Sequence, residues 1–323
     1  MMRLVSASRR CRPVPKRCGS CSVTRSAPSA NSVSTRKRRS SVMLDTATRN
    51  EAVFDVDLAA VRTLAHVVPG PLPLTLNGIK FAASIRPRKF VIEGGDETPV
   101  TMPRTTYQVV YADGTVMLDA GMDKATHDSF GEGEPYDLEA FAKLKNALDA
   151  ARMIVLTHYH ADHVGGVVTA PNFDALSRKT VAEAETLSLM MNNPHRPHLK
   201  IRESQAAQFI IISYGQYYPV APGMVLIKAP GHSPDMQMLY LKLQSGEEFL
   251  HSVDAAWNMD NIRAVKGKAA PWVKEDVPAV MAQLAWLNGL MQREPSLNIL
   301  VTHDGEWLDQ MIARGAIGGE LKI

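Results

Sequence analysis

Met153-Ile154-Val155-Leu156-Thr157 runs directly into His158-Tyr159-His160-Ala161-Asp162-His163. The first five residues are apolar or β-branched, the composition of a buried strand. The next six open into a loop holding four side chains able to bind a transition metal. On an extended backbone alternate residues share a side, so His158 and His160 can reach one ion together. Asp162 and His163, beyond a turn, can point at a second ion nearby. A histidine-rich surface loop is the plain alternative, but it does not account for the pattern downstream in the chain.

The succession of strand and then ligand recurs. Val225-Leu226-Ile227-Lys228-Ala229-Pro230-Gly231 leads to His232, and Phe249-Leu250-His251-Ser252-Val253 leads to Asp254. Asn298-Ile299-Leu300-Val301-Thr302 leads to His303, and Thr115-Val116-Met117-Leu118 leads to Asp119. Enzymes built on sheets place sites at such strand ends, because the strands fix groups that the loops expose.

This order of residues resembles the metallo-β-lactamase superfamily, whose pattern is Asp, then HxHxDH, then His, Asp and His. The resemblance spans roughly Glu93 to the C-terminus. It implies an α/β fold, an αββα sandwich of two mixed β-sheets flanked by helices. Carried over residue by residue, it implies that His158, His160 and His232 bind a first metal. Asp162, His163 and His303 would bind a second, with Asp254 bridging the two. Asp119, in Leu118-Asp119-Ala120-Gly121, matches the family carboxylate that orients a ligand histidine. The implied cofactor is two divalent metal ions, zinc first, with Fe, Mn or Co also suited to His and Asp donors. By the same analogy Asp162 is the catalytic group that passes a proton to the leaving group.

Composition fits an enzyme of this size: 323 residues, 45% hydrophobic, can bury one large core or two modest ones. The formal charge of +3 hides an asymmetry. Residues 1–44 hold eleven Lys/Arg (Arg3, Arg9, Arg10, Arg12, Lys16, Arg17, Arg25, Arg36, Lys37, Arg38 and Arg39) and no acid. Removing those from the 36 leaves 25 Lys/Arg against 33 Asp/Glu, a formal −8 over residues 45–323. An acidic body argues against nucleic acid as partner, since a basic face is the usual footprint. A small-molecule substrate is the expectation, and no apolar run is long enough to span a membrane.

The basic stretch 1–44 is Ser/Arg-rich and lacks apolar periodicity, which reads as a disordered tail. An organelle transit segment and a misassigned start upstream of Met43 are the competing readings; the expected location is cytoplasmic. All three cysteines, Cys11, Cys18 and Cys21, lie there, so the sequence calls for no disulfide in residues 45–323 and offers the centre no thiolate. Residues 45–323 are expected to form the hydrolase domain. Within it 45–92 would be an extension that caps the domain or makes a contact in a homodimer, the default assembly of soluble enzymes.

Elsewhere the pattern alternates. Tyr107 to Leu118 reads as a hairpin turning at Ala112-Asp113-Gly114. Leu138 to Ala151 is helical by the spacing of Leu138, Phe141, Leu144 and Leu148, and Val181 to Met191 and Val277 to Met291 are further helices. His195 and His198 lie in a loop that either overhangs the site or is solvated. His251, three residues before Asp254, faces the other way and is expected buried and hydrogen-bonded. Gly165 and Gly166 either let a substrate or loop approach closely or simply open a helix.

Water bridging two divalent ions loses a proton near neutral pH, giving a hydroxide that attacks a substrate carbonyl. Ala229-Pro230-Gly231-His232-Ser233-Pro234, then a strand and Asp254-Ala255-Ala256, resemble the layout of N-acyl homoserine lactonases. The resemblance implies a lactone among small ester-like substrates. A thioesterase or phosphodiesterase using the same centre, and a non-hydrolytic metal-binding or redox module, are the alternatives. Two departures bear on the substrate pocket. Those lactonases carry a tyrosine three residues after the bridging aspartate, where this chain has Trp257, whose indole N–H can donate with different reach. Ala161 replaces a bulkier residue between the ligands, which would widen the pocket. Tyr214, Tyr217 and Tyr218 either supply a replacement hydroxyl or are wall or surface residues.

Overall fold

The computed structural model describes residues 53–323; the basic tail, the three cysteines and Met43 lie outside the described residues. Two sheets form the centre. In the first, strands follow chain order: β1 (Thr75–Pro87), β2 (Pro99–Tyr111), β3 (Gly114–Leu118), β4 (Met153–Val155), β5 (Thr180–Glu183) and β6 (Ile210–Ile212). β1 to β3 are antiparallel and β3 to β6 parallel, so the sheet is mixed. The second contains β7 (Tyr217–Ala221), β8 (Met224–Lys228), β9 (Gln237–Lys242), β10 (Glu248–His251) and β11 (Leu297–Leu300), in the order β11-β10-β9-β8-β7. Only its β10–β11 pair is parallel, joined by a crossover through the helix Val277–Arg293.

Period-two alternation sorts the strand residues into layers. Val116 and Leu118 of β3 and Met224 and Leu226 of β8 meet between the sheets, together with Val155, Val181, Leu239 and Leu300. Their neighbours point outward. Met117 and Ile154 pack under Leu144 and Leu148 of the helix Leu138–Ala150. On the other side Val225, Ile227, Tyr240 and Leu250 pack under Val280, Leu284 and Leu287 of the helix Val277–Arg293. The layers run helix, sheet, sheet, helix: the metallo-β-lactamase fold, as the sequence implied.

Both long helices start where an aspartate caps them. Asp137 accepts the N–H of Ala140 at 2.9 Å, and Asp276 that of Ala279 at 3.1 Å. The helix expected over Val181 to Met191 begins later, at Ala184, because Thr180–Glu183 is strand β5. β-Branched Thr180 and Val181 sit between two parallel neighbours there, with Val181 opposite both Val155 and Ile210.

The stretch before Glu93 is built into the sandwich. β1 pairs with β2 from Thr75↔Val110 to Pro87↔Pro99, and Asn77 bridges to Gly318 on its outer side. The short helix Leu58–Leu64 buries Val61 in the same cluster as Val225 and Leu250. Its Arg62 is clasped by Glu248 at 2.6 Å and Glu294 at 2.8 Å. Among the described residues no helix is long and apolar enough to cross a membrane.

Candidate metal centre

At one end of the sandwich five strands, β3, β4, β8, β10 and β11, stop and their loops converge. β3 ends on Asp119, whose φ of 65° lies in the left-handed region. That conformation turns its buried carboxylate back against the β4 loop. Thr157 donates its N–H to Oδ1 at 2.7 Å and its hydroxyl to Oδ2 at 2.8 Å. His163 Nδ1 donates to Oδ2 at 2.7 Å, which turns Nε2 toward the centre. The helix Ala161–Val168 then lies tight on the loop after Asp119. A Cβ on Gly166 would come within 2.0 Å of the Ala120 carbonyl oxygen, and one on Gly165 within 2.8 Å of Met122. These glycines therefore admit a loop rather than a substrate.

The structure brings together all seven residues that the resemblance implies as metal ligands. His158, His160, His232 and Asp254 offer donor atoms within 4.8 Å of one another, as do Asp162, His163 and His303. Asp254 lies between the two groups, with Oδ2 at 3.3 Å from His232 Nε2 and 3.4 Å from His303 Nε2, and Oδ1 at 3.7 Å from His163 Nε2. His303 Nδ1 donates to the Pro103 carbonyl at 2.8 Å and His232 Nδ1 to Glu275 at 3.2 Å, leaving both Nε2 atoms free for the centre. His232 Nε2 and His160 Nδ1 lie 3.0 Å apart.

These donors suit a cation. His158 Nε2, His163 Nε2 and Asp254 Oδ1 are buried and have no hydrogen-bond partner, a state that costs free energy unless something else satisfies them. Burial, aided by the neighbouring imidazoles, holds His158 and His160 well below the ordinary histidine value, so both keep a lone pair. Burial opposes charge on His163 as well, yet Asp119, Asp162 and Asp254 together raise it well above that value. Three carboxylates thus call for positive charge at this ring, which a proton or a metal ion can supply.

Three residues, Arg104, Glu275 and Lys268, escaped the sequence reading, and a fourth, His195, was left there between two readings. Arg104 Nη1 donates to Asp162 Oδ2 at 2.7 Å. Burial would raise the Asp162 carboxyl, but Arg104, His163 and His303 hold it well below the usual carboxylate range. Glu275, behind His232, also receives the buried ammonium of Lys268 at 2.9 Å, and Lys268 donates to the Asp254 carbonyl at 2.6 Å. His195 does overhang the site: its ring lies 4.2 Å from that of His160, and its Nδ1 accepts the N–H of Ala161 at 3.0 Å. A lone arginine within β2 and a glutamate before a helix cap carry no motif, so only His195 had left a trace.

A cavity of about 510 Å³ opens over the centre, walled by Tyr159, His160, Asp162, His232, Trp257 and His303 among others. Trp257 is in place, with an indole N–H that is buried and unpartnered. Two expectations about the wall need correcting. Tyr217 is not part of it: its hydroxyl accepts the N–H of Asp57 at 2.9 Å, because the N-terminal segment packs over β7. The Tyr214 hydroxyl is likewise engaged, donating to Gln237. Ala161 is fully buried in the helix-side core and does not face the cavity, so its small size does not widen it. His251 is buried as expected, its Nδ1 accepting the N–H of Val253 at 3.3 Å.

An αββα sandwich with a cluster of His and Asp donors at its strand ends defines the metallo-β-lactamase class of architecture. Residues 100–245 match the metallo-beta-lactamase superfamily. An N-acyl homoserine lactonase from Bacillus thuringiensis is 23% identical over 223 residues, spanning 64% of this chain and 83% of the relative. One from Bacillus cereus is 22% identical over 222 residues, with the same shares. A quorum-quenching N-acyl homoserine lactone lactonase structure superposes with a TM-score of 0.60 at 18% identity, covering 78% of this chain and 99% of that one. An N-acyl homoserine lactone hydrolase with N-hexanoyl-L-homoserine at its catalytic metal centre gives 0.59 at 18%, covering 74% and 96%.

Proposed function

We propose that this metallo-β-lactamase superfamily hydrolase is dinuclear and opens a small ester-like substrate, a lactone first of all. One observation carries the reading. Seven His and Asp side chains converge at strand ends, with Asp254 within 3.7 Å of both groups and three of the buried donor atoms unsatisfied. His158, His160 and His232 would hold one divalent ion and Asp162, His163 and His303 the other, with Asp254 shared. Two such ions supply Lewis acidity and acidify water near neutral pH. Zinc suits these donors, as do Fe, Mn and Co.

The remaining residues act on the substrate and on one another. The Trp257 indole N–H, buried and unpartnered in the cavity wall, is the candidate donor to the substrate carbonyl oxygen, the task a tyrosine hydroxyl performs in the lactonases. Asp119 and Glu275 fix the tautomers of His163 and His232. Asp162, the candidate proton donor to the leaving alkoxide, is held ionised by Arg104, which favours its service as a ligand. Similarity to lactonases supports the choice of lactone over thioester or phosphodiester.

The test is metal analysis of the purified chain, with hydrolysis of a lactone panel by wild type and His160→Ala. About two metal ions per chain and ring opening lost in the variant are expected. Fewer than one tightly bound ion, with no carboxyl-ester hydrolysis after reconstitution, refutes the reading. Turnover of bis-4-nitrophenyl phosphate with inert lactones transfers it to phosphodiesters.

A further inference from the structure

The charge of the cavity wall says more about the substrate. Four cationic side chains line it, Arg86, Arg104, Arg196 and Lys274, against two carboxylates, Asp162 and Asp254. Both carboxylates belong to the proposed metal set. Arg86 is answered by Glu134 and Arg104 by Asp162. Among the described residues Arg196 makes no ion pair.

Arg196 is nevertheless held in place. Its Nε donates to the Ser129 hydroxyl at 3.2 Å and its Nη1 to the His195 carbonyl at 3.0 Å. The guanidinium carbon sits 3.8 Å from the centre of the Phe130 ring, and that of Arg104 lies 5.2 Å from the same ring. Two guanidiniums thus gather at one phenyl ring in the wall that also holds the donor cluster, and only Arg104 has a carboxylate partner, Asp162. Burial pulls Arg196 below its ordinary value and the neighbouring Arg104 adds to the pull, with Asp162 opposing both from beyond ion-pair distance. Orienting a guanidinium this way sacrifices side-chain freedom and hydration, and a planar oxyanion offsets both through a forked pair of charged hydrogen bonds.

We propose that the cavity takes an anionic substrate, an ester or lactone whose non-reacting part carries a carboxylate or phosphate that the Arg196 guanidinium receives, with Arg104 behind it. This rests on the hydrolase reading for its chemistry, while Arg196 sets which ester is taken. Hydrolysis itself is unchanged: water adds to the carbonyl, the alkoxide leaves, and the anionic end only docks.

The experiment pairs two esters of the same length, 4-nitrophenyl hydrogen glutarate and 4-nitrophenyl valerate, on the zinc-loaded full chain. The glutarate monoester should be preferred in kcat/KM by about tenfold or more, the worth of a charged hydrogen bond. Arg196→Gln should collapse that preference through KM, with Arg196→Lys retaining part of it; zinc content and melting temperature verify that both variants fold. Equal or better use of the valerate ester, or a preference that Arg196→Gln leaves intact, overturns the proposal. If neither ester is turned over and the lactone panel is inert as well, the ester-hydrolase reading is what fails, and calorimetric binding of glutarate and of inorganic phosphate then decides the anion site. Binding about tenfold weaker in Arg196→Gln upholds it, unchanged binding overturns it, and the anion that loses more identifies the group received.

Discussion

Glu275 joins the centre to the rest of the molecule, and replacing it by glutamine separates two effects that are usually confounded. Its carboxylate, 5% exposed, lies 3.2 Å from His232 Nδ1 and 2.9 Å from Lys268 Nζ, whose side chain is 1% exposed. Burial raises this carboxyl, but His232 and Lys268 bring it below the usual glutamate value, so it is ionised at neutral pH. Glutamine keeps the shape and removes the charge. Lys268 then stays buried among neutral oxygens only, the carbonyls of Asp254 and Ala255 and the new amide, and breaking a buried pair from one side costs about 3–5 kcal/mol. Separately, the acceptor that fixes the His232 proton on Nδ1 weakens from a carboxylate to a neutral amide oxygen, and impairing such a support lowers metal affinity by about 10–100-fold. Chemical denaturation of the metal-free protein reads the first effect, and zinc titration against a competing chelator reads the second. Lys268→Met in the Glu275→Gln background should restore most of the stability and little of the affinity, because it removes the stranded charge without restoring the carboxylate. Zinc affinity and stability both equal to wild type in Glu275→Gln would refute this reasoning. So would recovery of affinity in the double variant, which would mean that Glu275 acts only through Lys268.

Asp119→Asn presents an amide where His163 donates, which favours the tautomer with its proton on Nε2; zinc bound after dialysis should fall from about two ions toward one, with affinity down about 10–100-fold at the second position. Gly166→Ala places a methyl 2.0 Å from the Ala120 carbonyl and should melt far below wild type, since overpacking costs about 1–3 kcal/mol even where neighbours yield. His251, buried beside Tyr107, is depressed from the ordinary 6.5 to about 4, by burial above all. The folded chain therefore binds this proton less readily than the unfolded chain. Stability is untouched above pH 6.5 and falls as the pH drops from there toward 4, by about 3 kcal/mol at ~1.4 kcal/mol per tenfold in proton affinity. Denaturation of the metal-free protein at pH 7 and pH 4 should show a smaller drop in His251→Asn, and an equal drop counts against this assignment.

The layers and the donor cluster were legible in the sequence because each has a local signature. Met153 to Thr157 and Val225 to Lys228 are apolar over the length of a strand. The donors come within a few residues, so one short window contains both the strand and the ligands it delivers. β5 was obscured because Thr180-Val181-Ala182-Glu183 is short and merges with a helix whose own spacing continues past it. Membership of β1 in the first sheet was not legible either. It is fixed by a pairing that runs from Thr75↔Val110 to Pro87↔Pro99 and by a bridge to Gly318, contacts that leave no periodic trace.

The second layer of the site obeys the same logic. Asp119 could be read because it ends a strand of its own, whereas Arg104, Lys268 and Glu275 reach the centre from a strand interior and from a long loop. Their placement is set by charge balance after folding. Asp162, Asp254 and Glu275 bring three carboxylates to one buried end of the sandwich, and each must meet a cation or a metal to remain ionised there. Arg104 answers Asp162 and Lys268 answers Glu275, which leaves Asp254 as the carboxylate with an unpartnered oxygen facing the histidines. The protein has thus neutralised the acids around the centre with its own cations while leaving the middle of it to be neutralised from outside, the charge distribution expected of a site built to receive metal.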